Sequence, residues 1–320
     1  MPRLGVVGAT GAVGAVELEL LVERGYDDVR AFASERSAGT RVPFGSGELE
    51  VELASPETLT DLDLLFFSVG TAASAELVPP AVENGAMCVD KSSAFRLTEG
   101  IPLVVPEVNG ARAGEHDGIV ANPNCSTIQL VCVLEPLRRA AGLRSVRLAT
   151  YQSASGAGDA SLRRLLQTAP ADLSVTMDWP LEGDEFEEEA KLRDETRKIM
   201  ELPGLPFMAN CVRVPVLVGH CQAIWLETQE TLSVQDARDV LADAPGVRLA
   251  EATSAPRDAV GDDDVLVGRV RRDPTLENGL ALFTACDNLR KGAALNAIQI
   301  AELLLENEGV VADDRHLRAV

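Results

Sequence analysis

A glycine-rich turn between a short apolar run and a longer amphipathic run is the feature that most limits how this chain can fold. Leu4–Val7 is predicted to be a strand, Ala12–Glu23 is predicted to be a helix closed by Gly25, and the sequence GATGAVG at positions 8–14 joins them. Glycines at such a junction allow a tight turn and let the phosphates of a ligand approach backbone N–H groups at the helix N-terminus. The spacing is GxxGxxG and not GxGxxG, so a plain tight turn is the alternative. The position after the first strand favours dinucleotide binding.

Short apolar runs and helical runs alternate over the first 125 residues, which predicts βαβ units and a parallel sheet. Beyond the first strand, the predicted strands are Val29–Ala33, Leu62–Ser68 and Met87–Asp90, with a helical stretch around Ala75–Asn84. We therefore expect an α/β fold with an N-terminal Rossmann-like dinucleotide-binding domain over residues 1–125.

Longer strands with alternating polarity are predicted in the second part of the chain, and they suit a mixed or antiparallel sheet with one covered face. These strands are Val146–Gln152, Val212–Val218, Gln222–Glu230, Val265–Arg271 and Leu280–Cys286. A last helix is predicted at about Leu289–Asn307. We expect an α+β domain with a mixed sheet over residues 126–288, and a C-terminal helix at about 289–320 that completes the first domain.

A candidate nucleophile lies in the sequence NPNCST at positions 122–127. Pro123 and the two asparagines favour an extended turn, and the apolar residues that follow recur at helical spacing. Cys125 is therefore expected at a helix N-terminus, where backbone N–H groups and the helix dipole favour a thiolate. A free cysteine is more often a buried packing residue. The surrounding residues favour the nucleophile instead.

Composition narrows the classes of partner and compartment. The chain has 320 residues and a net charge of −21, which argues against nucleic acid and anionic membranes as partners. No apolar run approaches a membrane span, and no signal peptide is recognisable. Six cysteines without a CxxC pair and only three histidines predict reduced cytoplasmic thiols and no metal site. Much of the acidic excess lies in runs that look exposed, such as Glu182–Glu189.

The turn after the second strand bears on the choice of coenzyme. An acidic residue there accepts hydrogen bonds from a ribose 2′-OH, whereas an arginine accommodates a 2′-phosphate. The sequence Ser34-Glu35-Arg36-Ser37 offers both. Arg36 between two hydroxyl side chains favours NADP, and Glu35 is the argument against it.

Several polar residues at predicted strand ends could bind or orient a substrate. Gln152 ends a strand before a loop of small residues, and Arg213 and His220 frame the strand RVPVLVGH. Arginine can bind a carboxylate in bidentate fashion, and histidine can move a proton near neutral pH. Glu188 and Lys191 share one face of a predicted helix, where a solvated ion pair is the simpler interpretation.

These motifs together resemble the aspartate-semialdehyde dehydrogenase family, which shares its broad fold with glyceraldehyde-3-phosphate dehydrogenase. The matching stretches run nearly end to end: GATGAVG at 8–14, SERSAG at 34–39, SSAFR at 92–96, VVPEVN at 104–109, NPNCST at 122–127, YQSASGAG at 151–158, ETRKI at 195–199, RVPVLVGH at 213–220 and DNLRKGAALNA at 287–297.

The resemblance implies reduction of L-aspartyl 4-phosphate to aspartate 4-semialdehyde with NADPH, through a thioester on Cys125, in the biosynthesis of lysine, threonine and methionine. It implies that His220 is the acid/base, that Gln152 orients the thiohemiacetal and that Asn124 supports the oxyanion. Substrate and phosphate would contact Arg96, Glu188, Lys191 and Arg213. NADP would contact Thr10, Gly11, Ala12, Val13, Arg36, Ser37, Ser155, Gly156 and Asn288.

One departure from the family pattern concerns the segment between Leu165 and Lys191, which is much shorter than in the common form. That form carries an insertion with an AFN-type motif at the subunit interface. We nevertheless expect a homodimer or higher homo-oligomer through the substrate domain. Two alternatives to the implied function are an N-acetyl-glutamyl-phosphate reductase and a non-catalytic family member that binds nucleotide.

Overall fold

The computed structural model describes residues 1–250, 256–307 and 309. The chain divides into two compact units. Met1–Pro123 and the described residues from Ala293 onward form the first unit, and Asn124–Gly292 forms the second. The end of the predicted C-terminal helix, residues 310–320, lies outside the described residues.

The first unit is built on a seven-stranded sheet. Its strands are β1 (Leu4–Val7), β2 (Val29–Ala33), β3 (Arg41–Phe44), β4 (Gly47–Leu53), β5 (Leu64–Phe67), β6 (Met87–Asp90) and β7 (Ile119–Ala121), and its first helices are α1 (Ala12–Glu23), α2 (Thr71–Glu83) and α3 (Pro106–Asn109). The strand order is β3-β4-β2-β1-β5-β6-β7, and all pairs are parallel except the β3–β4 hairpin. Every residue of the central strands β1 and β5 is buried, as expected for a parallel sheet covered on both faces.

The second unit is built on a six-stranded mixed sheet. Its helices are α4 (Cys125–Ala141), α5 (Asp159–Gln167), α6 (Glu187–Ile199) and α7 (Val234–Ala242), and its strands are β8 (Ser145–Gln152), β9 (Leu181–Glu182), β10 (Glu185–Phe186), β11 (Phe207–Arg213), β12 (His220–Glu227), β13 (Val247–Leu249), β14 (Val265–Arg272) and β15 (Gly279–Cys286). The large sheet has the order β11-β8-β12-β15-β14-β13, while β9 and β10 form a small hairpin of their own.

The last helix of the chain, α8 (Leu295–Asn307), belongs to the first unit and follows a π-helical turn at Arg290–Ala294. Its buried residues join the core formed by β1, β2 and α1. None of the described helices is both long enough and apolar enough to cross a bilayer. The predicted fold class, a Rossmann-like domain plus a domain with a mixed sheet, is confirmed.

One predicted strand is wrong. The sequence predicted a strand over Val212–Val218, but β11 ends at Arg213 and β12 begins at His220. Pro215 has no N–H to donate to a ladder, and Gly219 has a φ of 98°, which a strand does not use. The segment between them is therefore a loop that brings Arg213 and His220 to neighbouring strand ends. The β3–β4 hairpin, β7, α5, α7 and β13 were not predicted.

Candidate active site

The first turn of α4 places Cys125 at the start of a helix that is buried along most of its length. Asn124 caps this helix, because its Oδ1 accepts a hydrogen bond of 2.8 Å from the backbone N–H of Ser126. The backbone N–H of Asn124 donates in turn to Oε2 of Glu195 at 2.7 Å. Glu195 is itself buried, so a carboxylate 71 residues further along the chain holds the turn that presents the thiol.

Cys125 also differs from the other cysteines in its exposure. All six lie in the described part of the chain, and Cys125 alone is partly exposed. Burial raises the pKa of the Cys221 thiol to about 12 and moves the pKa of three further thiols above the ordinary range. Those three are Cys88, Cys211 and Cys286. Since a thiolate is the reactive form, these buried thiols are inert at neutral pH.

A buried carboxylate next to the thiol turn connects three of the predicted site residues. Oε1 of Glu188 accepts hydrogen bonds from Nε2 of Gln152 at 2.8 Å and from Nδ2 of Asn124 at 2.9 Å. Gln152 also donates to the hydroxyl of Ser126 at 2.9 Å. Nζ of Lys191 lies 4.0 Å from Oε2 of Glu188. The fold therefore brings these side chains to one place, and an ion pair that looked solvated in the sequence includes a buried carboxylate.

The acidic run that contains Glu188 is only partly exposed, which corrects the expectation from composition. Glu188 and Glu189 are 6% and 8% exposed. Glu189 accepts hydrogen bonds from the backbone N–H groups of Phe186 and Cys211, both at 2.9 Å. The first of these bonds caps α6 and the second fixes α6 to β11. Some carboxylates of this acidic run are therefore buried and hydrogen-bonded, while others lie at the surface.

Arg213 is held by contacts that the sequence did not predict. Its Nε donates to Oδ1 of Asp178 at 3.0 Å, and its Nη1 donates to the carbonyl oxygen of Ser153 at 2.9 Å. The ring of Trp179 lies 4.6 Å from the guanidinium carbon. Thr176 forms two backbone hydrogen bonds with Arg213, of 2.8 and 2.9 Å. The shortened segment between α5 and α6 thus lies against this arginine.

His220 is buried and its ring is fixed from one side. Nδ1 accepts a hydrogen bond from the backbone N–H of Ser153 at 3.0 Å, and the hydroxyl of Ser153 lies 3.1 Å from the same nitrogen. Burial and the nearby positive charge of Arg213 lower the pKa of His220 to about 3. Nε2 is buried and has no hydrogen-bond partner among the described residues. The imidazole is therefore neutral at physiological pH.

Asn288 organises the loop that holds His220. Its Oδ1 accepts hydrogen bonds from the backbone N–H of Gly219 at 2.8 Å and from the hydroxyl of Ser153 at 3.0 Å. Its Nδ2 donates to the hydroxyl of Ser155 at 2.9 Å. Gly156 follows directly, and a methyl group on it would lie 2.9 Å from Nε2 of His220. The contacts of Asn288, Ser155 and Gly156 with a coenzyme remain predictions.

The glycine-rich turn in the first unit fits a dinucleotide. A methyl group on Gly14 would lie 2.2 Å from the carbonyl oxygen of Gly8, and one on Gly8 would lie 2.4 Å from that of Ser68. Only glycine fits this approach of two backbones. Gly11 is the N-cap of α1, so no side-chain hydrogen bond caps this helix, and the start of a helix without such a cap suits a phosphate group. Thr10, Gly11, Ala12 and Val13 form this junction.

Two further predicted groups belong to the first unit. Ser34, Glu35 and Arg36 are exposed in the turn after β2, and Ser37 is partly buried. Arg96 is buried, and it donates to the carbonyl oxygens of Asn122 at 3.0 Å and of Lys91 at 2.7 Å. The roles predicted for Arg36, Ser37 and Arg96 in binding NADP and phosphate remain predictions.

Sequence reasoning missed four residues that hold this site: Ser153, Asp178, Trp179 and Glu195. Ser153 and Glu195 lie inside stretches that matched the family, YQSASGAG and ETRKI, so the resemblance was the available signal for them. Asp178 and Trp179 lie in the shortened segment, and their contacts depend on a strand that begins almost thirty residues later. No local pattern identifies them.

Comparisons with known proteins identify the family to which the chain belongs. The family profile described as "Semialdehyde dehydrogenase, NAD binding domain" matches residues 3–116, and "Semialdehyde dehydrogenase, dimerisation domain" matches residues 178–291. The aspartate-semialdehyde dehydrogenase of Bacillus subtilis is 43% identical over 335 residues, covering 94% of this chain and 97% of that protein. The alignment is longer than this whole chain, so the relative contains residues that this chain lacks.

Solved structures show the same likeness. Aspartate semialdehyde dehydrogenase II from Vibrio cholerae, in a complex with ASA, has a TM-score of 0.91 and 37% identity, covering 96% of this chain and 99% of that one. The enzyme from Candida albicans with NADP has a TM-score of 0.77 and 26% identity, covering 97% and 100%. The predicted family is confirmed: this chain belongs to the aspartate-semialdehyde dehydrogenases.

Proposed function

We propose that this chain catalyses the NADPH-dependent reductive dephosphorylation of L-aspartyl 4-phosphate to L-aspartate 4-semialdehyde, in the biosynthesis of lysine, threonine and methionine in the cytoplasm. The observation that carries the proposal is the placement of one partly exposed thiol, Cys125, at a helix start beside the buried carboxylate of Glu188. The family membership of the whole chain and the ASA complex of the Vibrio cholerae relative support it.

Each unit has its own part in the proposal. Residues 1–123 with the final helix bind NADP, whose nicotinamide supplies hydride when the coenzyme is bound. Residues 124–292 bind the substrate and phosphate. Arg36 between Ser34 and Ser37 favours NADP over NAD because a guanidinium can pair with the 2′-phosphate, and the Candida albicans relative was solved with NADP.

The residues of the second unit have distinct roles in the proposed reaction. Cys125 attacks the acyl phosphate, phosphate leaves, and a thioester forms. Arg213 binds the substrate α-carboxylate, and Glu188 binds the α-ammonium group. Gln152 orients the tetrahedral intermediate, and Asn124 supports its oxyanion together with backbone N–H groups at the start of α4. Lys191 binds the phosphate. Arg96 belongs to the first unit, and phosphate binding is the role proposed for it there.

The test is phosphate-dependent reduction of NADP in the presence of aspartate 4-semialdehyde, in the reverse direction. Activity should require inorganic phosphate and should be absent from Cys125→Ser. Reduction of N-acetyl-glutamyl phosphate in preference to aspartyl phosphate would support the acetylated substrate instead. NADP binding without turnover of either acyl phosphate would identify a non-catalytic member.

The proposed assembly is a homodimer through the second unit. Large apolar side chains are exposed in and near the shortened segment: Leu166, Leu173, Val175, Met177, Leu181 and Met208. Contiguous exposed apolar side chains mark interaction surfaces, and we propose that these six form one. Light scattering should find a dimer at micromolar concentration. The dissociation constant of the dimer should fall as salt rises, because the net charge of −21 opposes association and salt screens it. Met177→Glu should shift it to monomer; a monomeric native protein at high salt would refute the proposal.

A further inference from the structure

Helix α6 holds the residue before the nucleophile at two points. Glu188 and Glu195 are seven positions apart on α6, which is close to two helical turns, so both carboxylates lie on one face of the helix. Oε1 of Glu188 accepts from Nδ2 of Asn124 at 2.9 Å, and Oε2 of Glu195 accepts from the backbone N–H of Asn124 at 2.7 Å. We propose that Glu195 is a positioning residue, which fixes the turn before Cys125 and so sets where the thiol lies relative to the groups that bind the substrate. The kinetic consequences of this inference rest on the proposed function.

The conformation of Asn124 depends on four hydrogen bonds, and two of them come from α6. The other two belong to the start of α4, where Oδ1 accepts from the N–H of Ser126 at 2.8 Å and the carbonyl oxygen accepts from the N–H of Ile128 at 2.9 Å. Asn124 itself is extended, with φ −59° and ψ 143°, so the chain becomes helical at Cys125. The bonds within α4 fix the turn to its own helix. The bonds from α6 fix it to the helix that carries Glu188, the proposed ligand of the substrate ammonium group.

The two carboxylates differ in what else they contact. Oε1 of Glu188 also accepts from Gln152, and Nζ of Lys191 lies 4.0 Å from its Oε2. Glu195 is only 1% exposed, so it lies away from the proposed ligands of the substrate. Its bond to Asn124 reaches the backbone directly, and a charged acceptor makes such a bond stronger than a neutral one. Glu195 therefore holds the turn whether or not Glu188 has bound a substrate.

Removal of the Glu195 carboxylate would deprive a buried donor of this acceptor. Asn124 is 8% exposed, and a buried backbone N–H without an acceptor is unfavourable. The turn should therefore shift toward a conformation that satisfies this group. Misplacement of a reacting group by about 1 Å can lower a rate by about a hundredfold. Substrate affinity should change little, because Arg213 and Glu188 keep their places.

Glu189 provides a matched control on the same helix. Its carboxylate is also buried, and it accepts hydrogen bonds from the backbone N–H groups of Phe186 and Cys211, both at 2.9 Å. Neither of these groups belongs to the turn before Cys125. Glu189→Ala should therefore lower the stability of the fold, as Glu195→Ala does, without a loss of kcat.

The first test compares Ala and Gln variants at both positions. Gln keeps an oxygen acceptor but removes the charge, as Ala does, so the difference between the two variants isolates the hydrogen bond. We expect Glu195→Ala to lose at least about tenfold in kcat with a KM for aspartate 4-semialdehyde within about twofold of native, and Glu195→Gln to recover most of that loss. If Glu195→Ala does not fold, Glu195→Asp replaces it, because its side chain is one methylene shorter and withdraws the acceptor. Equal losses in folded Ala and Gln variants, or the same loss of kcat in Glu189→Ala, would overturn the proposal.

The second test does not depend on turnover. Cys125 is the one partly exposed cysteine of the six, all of which the structure describes, so iodoacetamide should alkylate it alone in the native protein. The N–H groups at the helix start favour the reactive thiolate, so a displaced turn should slow alkylation. We expect Glu195→Ala to react at least about threefold more slowly than Glu195→Gln near neutral pH, and the two Glu189 variants to react equally. Equal rates for the two Glu195 variants would overturn the proposal, whereas a native protein without semialdehyde activity would refute only the proposed function.

Discussion

Asp178 gives the sharpest test of how the proposed substrate site works. Its carboxylate already pairs with Arg213, the arginine that is proposed to bind the substrate α-carboxylate. Its Oδ1 lies 3.0 Å from Nε of Arg213, and Nη2 of that arginine has no hydrogen bond among the described residues. A substrate carboxylate bound at Nη2 would therefore share one guanidinium with Asp178. Asp178→Asn keeps an oxygen acceptor of the same size and removes the negative charge.

The size of the effect follows from distance and screening. Two carboxylates on one guanidinium lie roughly 5 Å apart. The Asp178 side chain is 33% exposed, so screening is close to that of water. With an effective dielectric constant of about 60, the repulsion is about 1 kcal/mol. Its removal should lower the KM for aspartate 4-semialdehyde about fivefold and leave kcat nearly unchanged.

Steady-state kinetics at saturating NADP and phosphate would measure this change. Asp172→Asn is the matched control, because Asp172 lines the same cavity of about 240 Å³ beside Arg213 but has no ion pair among the described residues. The effect should shrink in 1 M salt, where the Debye length is about 3 Å. A KM that rises in Asp178→Asn would refute the reasoning, since Asp178 would then orient Arg213 instead of competing with the substrate.

Three further predictions concern the nucleophile, the coenzyme and the core of the first unit. Cys125→Ala should abolish turnover, whereas NADP should still bind in a fluorescence titration. Cys132 is a buried packing residue, so Cys132→Ala should stay active. An inactive Cys132→Ala and an active Cys125→Ala would refute the assignment. Arg36→Ala should raise the KM for NADP about tenfold and leave that for NAD nearly unchanged, and equal kinetics of the native enzyme with both coenzymes would show that Arg36 is not selective. Lys91→Met should lower the free energy of unfolding by about 3–5 kcal/mol in urea titrations, because it leaves the buried carboxylate of Glu17 without its ion-pair partner. Burial already raises the folded-state pKa of Glu17, so the loss should diminish as the pH falls and the carboxyl is protonated; a loss that grows at low pH would contradict this.

The turn before Cys125 and the glycine-rich turn at positions 8–14 could be predicted because their structure is decided locally. Pro123, the asparagine cap and the apolar spacing after Cys125 set the start of α4 within a few residues. The glycines at positions 8–14 work in the same way, since they fit a backbone approach that a Cβ would prevent.

The roles of Glu188, Glu195 and Asp178 could not be predicted from local sequence, because each depends on partners far along the chain. Glu188 is 64 residues from Asn124, and Asp178 is 35 residues from Arg213. A glutamate in an acidic run is ordinarily solvated, and only the fold brings it to donors that satisfy it. The false strand at Val212–Val218 has a different cause, because Pro215 and Gly219 are local signals against a strand that were outweighed by the apolar alternation there.

Because five of the six cysteines are buried, the number of reactive thiols reports how much of a sample is folded. In the folded state one thiol, that of Cys125, is accessible, whereas an unfolded chain offers all six. A small disulfide reagent that releases a coloured product on reaction with a thiol should therefore detect one thiol per chain in a fully native sample and six in denaturant. Intermediate counts would give the unfolded fraction without any label or engineered probe. Loss of the single native equivalent with the other five still protected would identify molecules that are folded but oxidised at the nucleophile.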